Sequence, residues 1–545
     1  MDRRRLLLGA AGAATVALGG AIGWHRRRIV QPAAQLRYPG MEAGHALRDG
    51  AALPPAAGTH RTGIAILGAG VAGLSCAWKL AREGRRDFVV VSGPEFGGNA
   101  DAGLHGGLAY PRGAHYLPLP SRESGHVREM LADFGLIQRG ADSAEPYYDE
   151  RVLVHSPQER LLRNGRWEEA LLPLHDVPPE DLRQHQRFEA LVDRLRTQRG
   201  SDGRRLFAVP LTLSSADPEW RALDALTFSA WLDREGYRAP TLRWYLDYCC
   251  RDDYGAGTDT VSAWAGLHYF ASRDGHAANA AGGAVLTWPG GLAPLVSMMC
   301  DAISAALGHR DWLLDGLAAR AEVGDRGARV HCVDGARGYA IEAARLVSAM
   351  PLAVAARVLP PLRRWGYDVR DHASPHAAWL VSSFMMQSYP VEQPGEPLAW
   401  DNVVYEGQAL GYVVSTHQLL RVAPSPRTVF TAYQALSKMS PGAARRWLLA
   451  ADAETLREAA SADLIAAYGE AFWRHADALE ITARGHAMAT PAPGYLSNPG
   501  LAALREADGV VQFAHADLSG YSVFEEAAWW GVRAAHRLLG APAPA

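Results

Sequence analysis

The stretch Gly63-Ile64-Ala65-Ile66-Leu67-Gly68-Ala69-Gly70-Val71-Ala72-Gly73 decides the fold. Gly63 to Leu67 is a short apolar run of the kind that forms a buried parallel strand. A G-x-G-x-x-G turn follows at once. Leu74, Ala77, Trp78, Leu80 and Ala81 then recur at helical spacing until Gly84, and Phe88-Val89-Val90-Val91 supplies a second strand. Strand, glycine turn, helix and strand within about 30 residues form a dinucleotide-binding unit. Gly68 permits the tight turn, Gly70 lets a pyrophosphate approach the main chain, and Gly73 lets helix and strand pack closely. Ala72 belongs to the same turn, which sets the phosphates at the positive end of the helix. The acid that normally ends the second strand and binds a ribose is missing. Val91 and Ser92 stand there, so the ribose contact is expected from Ser92, or from Glu95 in the next turn.

Working outward, three segments distinguish the cofactor. The first is Gly97-Gly98-Asn99-Ala100, followed by Tyr110-Pro111-Arg112-Gly113-Ala114-His115-Tyr116. The second is Trp288-Pro289-Gly290-Gly291-Leu292, which precedes the β-rich Ala328 to Val333 and Arg345-Leu346-Val347-Ser348-Ala349-Met350-Pro351. The third is Val511-Gln512-Phe513-Ala514-His515-Ala516-Asp517, with Ser522 and Phe524 just after it. In this order they resemble the flavin amine oxidase and phytoene desaturase superfamily, with Asn99 where that family usually has Arg. The resemblance implies an α/β fold of the two-dinucleotide-binding-domain type: a Rossmann-like FAD domain with an interleaved α+β substrate domain. It implies non-covalently bound FAD, held by Gly68, Gly70, Ala72, Gly73, Ser92, Gly97, Gly98, Asn99, Gly113, Ala114, His115, Asp517, Ser522 and Phe524. It also implies a discontinuous FAD domain over 61–120, 285–352 and 485–540, with 121–284 and 353–484 forming the substrate and cap domain.

The N-terminus reads as an address. Met1 to Arg5 is MDRRR, and Leu6 to Trp24 carries no charge. An arginine cluster before a weakly apolar run resembles a twin-arginine export signal. Nineteen residues are also enough to span a bilayer if uncleaved. Residues 1–30 are therefore expected to be an export signal or anchor, placing the protein in the periplasm or on a membrane facing it. Residues 31–60, rich in Ala, Pro and Gly, read as a linker. A net charge of -3 gives no reason to expect a nucleic-acid partner. The five cysteines show no zinc-like spacing, and no metal site is expected.

The substrate side offers fewer signals. Asp252 and Asp253, close to Trp264, Tyr269 and Phe270, form a carboxylate pair beside aromatics that can hold a cation. A helix terminus next to an aromatic core stripe accounts for the same residues equally well. His417, at the end of Gly411-Tyr412-Val413-Val414-Ser415-Thr416-His417, and His486, in Gly485-His486-Ala487-Met488, are the candidates beside the flavin ring. Both also fit a hydrogen-bonded core histidine. Only two lysines exist, Lys79 and Lys438. The leading expectation is an FAD-dependent oxidoreductase that moves hydride from an amine, including polyamines, to flavin N5, with oxygen or a quinone as electron acceptor. A desaturase or isomerase of an apolar carotenoid-like substrate and a catalytically silent flavin-fold binding protein are the alternatives.

Overall fold

A computed structural model describes residues 29–423 and 425–542. The expected signal therefore lies, up to Arg28, outside the described residues. Two large sheets organise the rest. The first has seven strands, in the order Leu313–Leu314, Phe88–Val91, Ala56–Leu67, Arg337–Ser348, Ala328–Asp334, Leu317–Val323, with Val511–Phe513 also pairing with Arg337–Ser348. Its centre is parallel: Ile64 pairs with Phe88, Ile66 with Val347, and Val347 with Gln512. Ile64 to Leu67, Val90 and Leu346 are almost fully buried, as a sheet covered on both faces requires.

The fingerprint helix Val71–Arg82 follows directly and buries every residue from Ala72 to Ala81. Helix Phe524–Leu539 lies against it so closely that a Cβ on Gly531 would come within 2.1 Å of the Ala72 carbonyl oxygen. Two helices can approach this closely only where one of them carries glycine at the crossing.

The second sheet has eight strands. In order they are Ala34–Arg37, Ala476–Ala489, His376–Met386, Thr428–Ala435, Tyr412–Val414, Asp401–Val404, Glu159–Arg163 and Arg166–Glu169. Helices Pro441–Ala450 and Ala453–Tyr468 cover one face through a core that includes Phe384, Phe430 and Phe472. The other face meets helix Pro240–Tyr254 through a cluster that includes Tyr248, Trp379, Trp400 and Tyr433. A separate helical core joins Pro179–Thr197, Phe228–Arg234 and Ala263–Ser272.

The interleaved arrangement matches the expected fold class, but three boundaries differ. Residues 31–60 are not a plain linker: Ala34–Arg37 pairs in parallel with Leu479 to Thr482, Met41–Asp49 is a helix, and a sheet strand begins at Ala56. Residues 121–155 pack with the dinucleotide domain, since Val127, Met130, Leu131 and Leu153 lie in its core. Strand Ala476–Ala489 carries the substrate sheet past residue 485. All three depend on pairing between residues far apart in the chain, which local composition does not encode.

Candidate FAD groove and substrate cavity

The glycine turn is built to admit a large anion. Helix Val71–Arg82 starts at Gly70 with no side-chain cap and no acid in its first turn, so its first N–H groups face outward. A Cβ on Gly70 would meet nothing within 4 Å, whereas one on Gly73 would lie 1.9 Å from the Gly68 carbonyl oxygen. Gly70 therefore faces open space and Gly73 marks a backbone contact, the division of roles expected from the motif. Ser348 ends the neighbouring strand opposite Leu67, and its hydroxyl is buried without a partner.

The Gly97-Gly98 doublet packs on this turn. Gly97 pairs with Gly70, and its N–H donates to the Ala69 carbonyl at 3.0 Å. Gly97 has φ 79°, a left-handed conformation that suits glycine. The Asn99 carbonyl accepts the Ala114 N–H at 2.7 Å, and a Cβ on Gly113 would come within 2.2 Å of that same oxygen. The Asn99 amide donates to the Ala487 carbonyl at 2.7 Å, so the strand carrying His486 runs beside the doublet. The turn, the doublet, Gly113 and Ala114 thus share one groove. An exposed helix start, open space over Gly70 and an orphan hydroxyl at the adjoining strand end fit the pyrophosphate of a dinucleotide such as FAD.

The two residues expected at the ribose have partners within the protein. The Ser92 hydroxyl donates to the Gly316 carbonyl and accepts the Gly316 N–H, both at 3.1 Å. Glu95 is held by Arg484 through two contacts of 2.7 and 2.6 Å. Both side chains are committed within the protein.

Asp517 is buried, and its carboxylate accepts the Leu352 N–H at 2.9 Å. Its other oxygen lies 3.1 Å from Nε2 of His376, whose Nδ1 lies 3.0 Å from the Ser374 carbonyl. Both partners of His376 accept, so the two contacts favour the doubly protonated, imidazolium form of the ring. Burial disfavours that charge, yet the Asp517 carboxylate outweighs it and holds the His376 pKa above the usual value. Burial likewise raises Asp517, but His515 and His376 pull it well below the carboxylate range. His486 lies edge-on to His376 at 6.3 Å, and burial followed by Arg445 lowers it to about 4. The Ser522 hydroxyl accepts the Ala489 N–H at 2.9 Å, tying the C-terminal segment to the same strand. Phe524 opens the helix that crosses the fingerprint helix.

Beyond His115 lies a packed aromatic cluster. His115 stacks on Tyr433 at 4.3 Å and approaches Trp400 at 5.6 Å and Tyr116 at 4.9 Å. Burial lowers His115 to about 3, so the ring is neutral. The Tyr116 hydroxyl donates to Asp252 at 2.9 Å. Burial, then the neighbouring Asp253, raises Asp252 to about 6. Asp401 is raised well above its usual value by burial, then by Asp252 and Glu159. Asp252, Asp401, His115 and Tyr116 keep part of their surface accessible although burial dominates their ionisation, as expected of groups lining an internal space.

The carboxylate pair divides. Adjacent helical residues point about 100° apart, so Asp252 faces the aromatics while Asp253 is neutralised by Arg273. His417 is not beside these groups: its Nε2–H donates to the His155 carbonyl at 2.9 Å and fixes a loop. Lys79 is buried and ion-paired with Glu83 and Glu129, both at 2.9 Å, and Lys438 is exposed on the turn after Thr428–Ala435. Sequence reasoning missed Tyr433, Asp401 as a carboxyl of the cluster, and Arg484. Each lies on a strand whose alternation was legible but whose facing partner was not.

Residues 66–134 match the family described as an NAD(P)-binding Rossmann-like domain. No curated protein matches the chain. Among solved structures, a putrescine oxidase bound to putrescine is similar at 17% identity, covering 88% of this chain and 100% of its own, with a TM-score of 0.61. Cyclohexylamine oxidase from Brevibacterium oxydans IH-35A is similar at 20% identity, covering 88% and 99%, with a TM-score of 0.60. A fatty acid isomerase from P. acnes that produces CLA is similar at 17% identity, covering 87% and 98%, with a TM-score of 0.59. The open glycine groove, the sheet built from three remote segments and these likenesses agree: the chain has a Rossmann-like dinucleotide-binding domain with an interleaved substrate domain, the fold shared by these solved structures.

Proposed function

We propose that this protein is an exported FAD-dependent oxidoreductase that oxidises an amine, with diamines and polyamines as the leading substrates. The observation that carries this reading is the Asp252–Tyr116 contact beside the aromatic cluster of His115, Trp400 and Tyr433. FAD, when bound, supplies the acceptor for a hydride from the carbon beside nitrogen. The chain's own residues bind, orient and exclude water. Ionised Asp252 draws in the substrate ammonium and takes its proton, leaving the nitrogen beside the reacting C–H neutral, and the Tyr116 hydroxyl fixes the orientation of that carboxylate. Tyr433, Trp400 and neutral His115 enclose the substrate with aromatic faces, each able to stabilise a cation by about 0.5–2 kcal/mol. Asp401 supplies a second carboxyl for the far end of a diamine. A putrescine oxidase and a cyclohexylamine oxidase among the structural neighbours support an amine. The fatty acid isomerase represents the apolar alternative, against which the buried carboxyls count. Export rests on the arginine cluster and uncharged run of residues 1–24, and the electron acceptor is oxygen or a quinone.

The test is an absorbance spectrum of the purified protein, then anaerobic addition of putrescine, spermidine and cyclohexylamine. Flavin bands that bleach with an amine support the reading. Flavin bands that no amine bleaches move it to the isomerase class, and absence of flavin removes it.

A further inference from the structure

The most exposed large apolar side chains gather at one end of the substrate sheet. Among the described residues these are Val422, Val391, Val30, Leu104 and Leu420, at 110, 88, 76, 72 and 69% exposure. Strand register places them together. Met386 ends its strand opposite Thr428 on one side and Ala476 on the other. Leu420 and Val422 lie in the loop that enters at Thr428. Val391 lies in the loop that leaves Met386 and re-enters the sheet at Asp401, which pairs with Val413 next to that same end. Val30 runs into the parallel strand whose first residue, Ala34, pairs with Leu479 near the start of its neighbour. Leu104 lies on the Ala102–His105, Leu108–Pro111 hairpin. A Cβ on its tip residue Gly106 would lie 3.8 Å from Arg427, itself paired with Asp477 at 2.9 Å.

Apolar side chains exposed singly are ordinary, but a group confined to one end marks a docking surface. The chain indicates the occupant. Ile29 and Val30 bring the chain to this end, and the preceding sequence is Arg26-Arg27-Arg28, joined to an uncharged run from Leu6 to Trp24. Arg421 is also exposed there. An exposed arginine, Arg421, beside aliphatic tips suits the interface of an anionic bilayer, with apolar atoms among the acyl chains and the guanidinium at the phosphates.

We propose that this end of the substrate sheet is a membrane-docking face, by which the folded protein rests on an anionic bilayer through Leu104, Val391, Leu420 and Val422. The inference is independent of the amine reading. It predicts contact by the folded domain itself, beyond any attachment made by residues 1–28.

The test uses the full-length protein with Cys300→Ser, carrying an environment-sensitive fluorophore at V422C or, as the opposite-end control, at K438C. Vesicles of phosphatidylethanolamine and phosphatidylglycerol are added. The label at 422 should brighten about threefold or more and be quenched by nitroxide lipid, while the label at 438 should do neither. A label at L104C should behave like that at 422 and lose about tenfold of its lipid quenching in the L420D/V422D background. The proposal is overturned if the 422 label on vesicle-bound protein stays as open to an aqueous quencher as the 438 label. It is equally overturned if the protein ignores the vesicles.

Discussion

Arg484 of the substrate sheet holds both carboxylate oxygens of Glu95, in the segment just before the Gly97-Gly98 doublet, at 2.7 and 2.6 Å. Four residues earlier on the same strand, Glu480 holds Arg112 in a second two-point pair of opposite polarity, at 2.6 and 2.9 Å. Residues four apart on a strand share a face, so the two pairs form one seam between the domains. The seam fixes the doublet against the groove, although neither pair touches the glycine turn.

Arg484→Met should therefore weaken FAD binding while leaving the fold intact. Removing one partner leaves Glu95 poorly solvated, and the doublet loses its anchor. We expect a rise in the FAD dissociation constant of about tenfold or more, read by flavin fluorescence titration. Arg484→Lys keeps the charge but not the fork, and should fall between wild type and R484M. Unchanged affinity in R484M would show that the doublet needs no such anchor.

Gly70→Glu and Gly73→Ala should fail in different ways. Space over Gly70 is open, so G70E should fold with near wild-type melting yet purify colourless, its carboxylate occupying the phosphate position. A Cβ at 73 collides with backbone, so G73A should lose about 1–3 kcal/mol of stability as well as cofactor. A yellow G70E protein would refute the groove assignment.

Asp252 is ionised only above about pH 6, so amine binding should weaken as pH falls through that value. In D252N the apparent KM for an amine should rise about 10- to 100-fold and this pH dependence should vanish. Stability should move the other way. A carboxyl whose pKa is raised on folding binds its proton more tightly in the folded state, so it costs stability above its folded pKa. D252N should therefore gain about 1–3 kcal/mol at pH 8 and nothing at pH 4, as read by chemical unfolding.

His376→Gln tests the imidazolium. The pKa of His376 is raised on folding, so its contribution is complete below about pH 6.5 and lost as pH climbs through the folded value. Asp517, held low, contributes above its unfolded pKa and loses that contribution only as pH drops through its depressed folded value. The wild-type advantage over H376Q should thus be about 2–4 kcal/mol at pH 5.5 and clearly smaller at pH 9. Equal differences at the two pH values would mean that the ring is neutral.

The dinucleotide unit was legible because its determinants are local. Gly68 to Gly73 and the two flanking strands lie within one short stretch, and their period and glycine spacing carry the geometry. Asp252 was legible as a carboxyl beside aromatics, but only the helix direction separates it from Asp253. What the sequence withheld came from long-range pairing. Glu95 and Arg484 are 389 residues apart. Ala34 to Arg37 form a strand only because Leu479 to Thr482 present an edge to them. Tyr433 enters the cluster because of the register that sets Val381 opposite it.

The strand Arg337–Ser348 has Ala56–Leu67 on one side and, at its far end, Val511–Phe513, while the helix from Phe524 to Leu539 closes over Val71–Arg82. The groove that starts at Gly68 is therefore completed by residues far later in the chain. A nascent chain interrupted before residue 511 would hold every glycine of the fingerprint and still lack a wall of the groove. Cofactor capture must then follow the synthesis of Val511–Phe513 and of the helix after it.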